Sequence, residues 1–230
     1  MKLIAIIDDG LQYNKLHLKV PVIEYEINNK NKIVRTLASK QRVEGHGMIC
    51  AKIIEELVEV NDYIIISIKV KDNASTSGRI EKLIKAIKFC VLLHVDIINI
   101  SIGTCEKYKT QHLHRVVKKA YENGIVIVSA ISNDNRITYP EAFKEVLAVK
   151  ANIRGLGNRV ICFRDLKYGE FFATWISNEI LTDNGEKINF RVSNSYAAPA
   201  IVANIVNHLF IGEYQKTLDD FRNRIYVTIG

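Results

Sequence analysis

Short apolar runs rich in isoleucine and valine alternate along this chain with longer stretches whose apolar residues recur every three to four positions. That alternation constrains the fold more than any other feature. Strands joined through helices lie parallel, and a parallel sheet must be covered on both faces. KLIAIID at 2–8, DYIIISIKV at 62–70, DIINIS at 96–101, GIVIVSAIS at 124–132 and EVLAVKA at 145–151 read as buried strands. HGMICAKIIEELVEV at 46–60, GRIEKLIKAIKFCVLLH at 78–94, HLHRVVKKAYENG at 112–124 and SYAAPAIVANIVNHLF at 195–210 read as helices. Residues 11–45 are mixed and polar around an NNKNK turn, residues 159–193 read as short strands and turns, and 214–225 as a last amphipathic helix. The expected class is α/β with a mainly parallel sheet, and residues 1–230 form one domain without repeats or linkers.

A chain of 230 residues, 48% hydrophobic and 25% charged, can bury enough apolar surface to fold, so a globular rather than a disordered chain is expected. The formal net charge of +7 raises nucleic acid, an anionic membrane or an acidic peptide as partners. The clearest cluster, Arg115, Lys118 and Lys119, has the spacing of one helix face and reads as a solvated surface, so no nucleic-acid role is expected. Cys50, Cys90, Cys105 and Cys162 form no CxxC pair, and His94, His112, His114 and His208 no metal-ligand set, so neither metal nor cofactor is expected. MKLIAIIDDG lacks the apolar core and cleavage site of a signal peptide, and no run reaches the length that spans a bilayer. A cytoplasmic protein without a membrane partner is expected, its thiols reduced.

In open parallel sheets, chemistry gathers at the carboxyl ends of the strands. Asp8 and Asp9 end the first strand, Ser101 and Gly103 follow the third, Asn133 follows the fourth, and His46 and Ser195 open helices. A serine hydroxyl is a weak nucleophile until an imidazole takes its proton, and a carboxylate behind the imidazole fixes its tautomer. A helix N-terminus under Ser195 offers free N–H groups to a developing oxyanion. Asp9 reads as a loop-capping neighbour and Cys50, four residues after His46, as packing on the same helix face.

The local motifs make this pattern specific. IAIIDDG around Asp8, GHGMICAKII around His46 and NSYAAPAIVA around Ser195 resemble, in order, the three signature motifs of the subtilisin-like serine proteases, the subtilases. DIINISIG resembles that family's substrate-binding strand, and SAISND places Asn133 at its oxyanion asparagine. The resemblance implies a three-layer α/β/α fold and a serine endopeptidase working through an acyl-enzyme. It implies Ser195 as nucleophile, His46 as base and then acid, Asp8 as the group orienting His46, and Asn133 with the Ser195 N–H as oxyanion hole. Ser101, Ile102 and Gly103 would bind peptide backbone.

Ser193 and Asn194 stand where the family has glycine and threonine, Tyr196 replaces a smaller residue, and Ser132 replaces a glycine. The segment between Asn133 and Tyr139 and the stretch after the His46 helix are short, and an enzyme made without an inhibitory pro-segment is expected. The leading expectation is a compact enzyme that matures one or a few peptides, for instance by removing a leader, with an acidic substrate segment bound outside the cleaved bond. A general degradative subtilase, a non-catalytic peptide-binding module and a receiver-like signalling domain built on Asp8 and Asp9 are the alternatives. The sequence leaves a homo-oligomer open.

Overall fold

The computed structural model describes residues 1–13, 15–37, 39–40, 45–70, 78–105, 110–134, 136–151, 160–165, 169–174 and 177–208. The helix expected at 214–225 lies outside them. The chain opens with β1 (Lys2–Asp8), β2 (Gln12–Tyr13), β3 (Val22–Ile27), β4 (Ile33–Thr36) and β5 (Ser39–Lys40). It continues through α1 (His46–Leu57), β6 (Tyr63–Lys69), α2 (Arg79–Leu92), β7 (Ile97–Ile100), α3 (Thr110–Glu122) and β8 (Val126–Ala130). β9 (Val146–Ala151), β10 (Val160–Asp165), β11 (Gly169–Thr174), β12 (Glu179–Leu181), β13 (Lys187–Asn189) and α4 (Asn194–His208) complete it.

Among the described residues one nine-stranded sheet runs β10-β11-β9-β8-β7-β1-β6-β3-β4. Every pairing from β11 to β3 is parallel, while β10 and β4 close the edges antiparallel. The strand register sets the site. Ile7 pairs with Ile100 and Ile100 with Ser129, so the next residues, Asp8, Ser101 and Ala130, lie side by side at the carboxyl edge.

Alternate side chains of each strand feed two separate cores. Ile4, Ile65, Ile97, Val128 and Val149 pack under α1 and α4, and Ala5, Ile66, Ile98 and Ile127 pack under α2 and α3. The result is a three-layer α/β/α arrangement with a mainly parallel sheet. α4 is apolar nearly all round and is sandwiched between α1 and the sheet, as such a helix must be. Its Ala197, Ala198, Ala200 and Ala203 are buried, and their small size lets neighbouring layers approach closely.

β3 was not anticipated. Val22–Ile27 joins the sheet parallel to β6 and turns through Asn28–Lys32 into β4. Ile23, Tyr25 and Ile27 alternate with Glu24 and Glu26, the pattern of a strand that is only partly covered. The turn falls on the NNKNK segment, where Asn28 Oδ1 accepts from the N–H groups of Lys30 and Lys32. The basic residues Arg115, Lys118 and Lys119 lie exposed on α3, with Lys118 3.9 Å from Glu122, which is a solvated helix face. No helix among the described residues is long and apolar enough to cross a membrane.

Candidate active site

The loop after β1 and the start of α1 hold each other. Asp9 accepts hydrogen bonds from the backbone N–H of His46 at 3.2 Å and of Gly47 at 2.8 Å. Its carboxylate therefore caps a helix whose own N-cap residue, Gly45, has no capping side chain. The contact is close: a Cβ on Gly47 would stand 2.7 Å from the Gly10 carbonyl oxygen. Only glycine lets α1 dock here, and the docking fixes His46.

His46 then meets Asp8 and Ser195. Its Nδ1 lies 2.8 Å from Asp8 Oδ2 and its Nε2 2.9 Å from Ser195 Oγ. The Asp8 carboxylate only accepts, so Nδ1 carries the proton and Nε2 is left to accept from the Ser195 hydroxyl. Asp8 is 2% exposed, and its other oxygen accepts from the Asp9 N–H at 2.8 Å. Burial works against the charged form of His46, but its pKa is pushed upward by Cys50 and by the Asp8 carboxylate. Burial also pushes the Cys50 thiol up, which keeps it neutral, so the lasting cause is Asp8. Tyr196 stacks on the imidazole with ring centroids 4.6 Å apart, and Phe190 packs edge-on against Tyr196. The substitution of a large residue after Ser195 thus covers one face of His46.

Ser195 is the second residue of α4, among the first N–H groups that a helix leaves without internal partners. Pro199, four residues on, has no N–H to offer the Ser195 carbonyl. That carbonyl instead receives long contacts from Ser101 Oγ at 3.5 Å and Cys50 Sγ at 3.7 Å. Cys50 is fully buried and its sulfur also lies 3.7 Å from His46 Nδ1. The thiol therefore lies directly beside the triad. Ser193 Oγ lies 2.7 Å from Ser195 Oγ, so a second hydroxyl contacts the same oxygen as the imidazole.

Asn133 is oriented by the neighbour of Ser195. Its Oδ1 accepts from the Asn194 N–H at 3.0 Å, and its Nδ2 has no partner among the described residues. The group left over is a donor, as an oxyanion requires. Asn194 itself ties three elements together, because its Nδ2 donates to the Ile131 carbonyl at 2.9 Å and its Oδ1 accepts from the Ala151 N–H at 2.9 Å. The departure from threonine at this position is a clamp between α4 and the ends of β8 and β9.

A pocket of about 400 Å³ opens beside Ser195 and Asn133, and Ser101, Gly103, Cys105 and Thr138 contribute to its wall. Ile102 is not part of this wall, since its side chain is 8% exposed and packs with the core under α2 and α3. Glu141, behind the wall, was missed from the sequence. The only signal was a carboxylate directly after Tyr139-Pro140 in a segment that shapes the pocket. Among the described residues one group could hold a metal ion: Asp8, His46 and Cys50 bring ligating atoms within 4.8 Å of one another. A cation there would take Nδ1 from Asp8 and undo the relay.

The fold and the relay together place this chain among α/β proteins that carry an Asp–His–Ser triad. Within that class it belongs to the subtilase family, whose model matches residues 2–204. The minor extracellular protease Epr of Bacillus subtilis (strain 168) is 31% identical over 160 residues, covering 64% of this chain and 23% of Epr. The major intracellular serine protease of the same organism is 33% identical over 92 residues, covering 37% of this chain and 28% of that protein. The matches thus span about a quarter of each relative's length. Among solved structures, the prenylagaramide maturation protease PagA superposes with a TM-score of 0.63 at 16% identity, over 90% of this chain and 74% of PagA. A mutant of the protease domain of PatA gives 0.62 at 17% identity, over 90% of this chain and 78% of that domain. At these identities the structural likeness speaks for the fold alone.

Proposed function

We propose that the chain is a serine endopeptidase that matures specific peptides. The observation that carries this reading is the relay from Asp8 through His46 to Ser195, at 2.8 and 2.9 Å. Ser195 Oγ attacks the scissile carbonyl while its proton passes to His46 Nε2. The imidazolium so formed is stabilised by Asp8 and returns the proton to the leaving amine, which departs and leaves an acyl-enzyme. Water, deprotonated by the same Nε2, then releases the acyl group. The Asn133 amide and the Ser195 N–H hold the negative oxygen, and the backbone of Ser101, Ile102 and Gly103 aligns the peptide.

Support for a maturation role comes from the fold shared with PagA, PatA and a lanthipeptide protease, two of them carrying maturation or lanthipeptide chemistry in their names. The net charge of +7 favours a substrate with an acidic segment outside the cleaved bond. Intracellular relatives and the free thiols Cys50, Cys90 and Cys105 favour the cytoplasm. Cleavage-site mapping on a cell proteome, with Ser195→Ala as control, tests the reading. Few sites near acidic segments are expected, with kcat/KM for such substrates falling as salt rises. Cleavage of casein as readily as of any mapped peptide would overturn the maturation role in favour of general degradation.

A further inference from the structure

The pocket beside Ser195 receives the side chain that precedes the scissile bond. A carbonyl carbon at Ser195 Oγ, with its oxygen at Asn133, leaves the adjoining Cα at the pocket mouth, because both residues border that space. Behind one wall lies Glu141. It is 4% exposed, and neither carboxylate oxygen has a hydrogen-bond partner among the described residues. A Cβ on Gly103 would stand 3.5 Å from Glu141 Oε1 and 3.1 Å from Thr138 Oγ1, and both Gly103 and Thr138 line the pocket. Among the described residues, Gly103, which has no side chain, and the Thr138 hydroxyl thus stand between the carboxylate and the pocket.

The segment around Glu141 is held by backbone bonds, with the Thr104 and Tyr139 N–H groups each donating to the other's carbonyl at 2.9 Å. Burial pushes the Glu141 carboxyl up to about 7, against the opposing pull of its own backbone N–H. A buried carboxylate without a donor is costly, and a cation brought to it removes that cost. Two arginines also border the pocket and would favour an acidic side chain. Arg136 is 68% exposed and already 2.5 Å from Asp134, and Arg79 is half-buried at the start of α2. Charges in contact with water are screened, whereas a buried one is not, so the carboxylate decides.

We propose that Glu141 is the specificity-determining residue of this pocket, its carboxylate receiving the ammonium or guanidinium of a lysine or arginine immediately before the scissile bond. The proposal rests on the endopeptidase reading above. A lysine side chain, a flexible four-carbon stem with a compact charge at its tip, has the shape to reach past Gly103.

Two readouts test it. Peptides that differ only before the scissile bond, carrying Lys, Arg, Leu or Glu, should show kcat/KM on the order of 10²-fold higher for Lys and Arg than for Leu, and Glu141→Gln should erase that ratio. Benzamidine should slow fluorophosphonate labelling of the wild-type Ser195, and benzyl alcohol should not. Relative to each protein's own unprotected rate, that protection should vanish in Glu141→Gln. Equal protection in both proteins, no basic preference in the wild type, or a preference for Glu would overturn the assignment of Glu141 while leaving the endopeptidase intact. A wild type that takes no label at all would overturn the endopeptidase reading and this proposal with it.

Discussion

Two buried carboxylates lie at the carboxyl edge of the same sheet and are treated in opposite ways. Asp8 is 2% exposed and holds two donors, the Asp9 N–H and His46 Nδ1, each at 2.8 Å. Glu141 is 4% exposed and has no hydrogen-bond partner from another residue among the described residues. Burial is nearly equal, so the difference lies in what each charge is for. The first is compensated inside the protein and spends its field on a neighbouring ring. The second is uncompensated, and its partner must arrive from outside.

Replacing the compensated charge gives the largest effect. Asp8→Asn should keep the fold and lower kcat by about 10⁴, because an amide at that position can donate to Nδ1 and stabilise the wrong tautomer. Steady-state kinetics on any mapped peptide will read it. A loss under tenfold would mean that Asp8 only caps its loop, and the contrast with Glu141 would collapse.

Replacing the uncompensated charge should affect stability in the opposite sense. The Glu141 carboxyl rises from an ordinary 4.5 to about 7 on burial. Between those values the unfolded chain releases the proton and the folded chain keeps it. Stability is therefore full below about pH 4.5 and is lost as the pH climbs to about 7, by an amount on the order of 3 kcal/mol. Glu141→Gln removes that titration. In urea unfolding its advantage over the wild type should be small near pH 4.5 and grow toward pH 8. Parallel profiles would show that Glu141 has a partner in the folded protein.

Much of this site was legible in the sequence because its residues sit where local signals are strong. Asp8 ends an unbroken apolar strand, His46 opens a helix with apolar periodicity, and Ser195 opens a helix that is apolar nearly all round. Asp9 reads only as a solvated or loop-capping neighbour of Asp8, and its capping of α1 through the His46 and Gly47 N–H groups is a contact between distant segments. What escaped notice depends on contacts between distant segments. β3 carries glutamates at two of six positions and is held by its pairing with β6 on one side and β4 on the other. The Ser193 contact with Ser195 and the clamp made by Asn194 follow from the way α4 docks on β8 and β9. Glu141 looks like any surface carboxylate until the backbone pairing of Thr104 with Tyr139 draws its segment against Gly103.

The central claim is that the relay makes Ser195 a nucleophile, and covalent labelling tests it most directly. A fluorophosphonate probe followed by peptide mass spectrometry should modify the wild-type chain at Ser195. Label should be absent from Ser195→Ala and greatly slowed in His46→Ala, because the base is lost. Equal labelling of wild type and Ser195→Ala, or modification at Ser193 instead, would contradict the account.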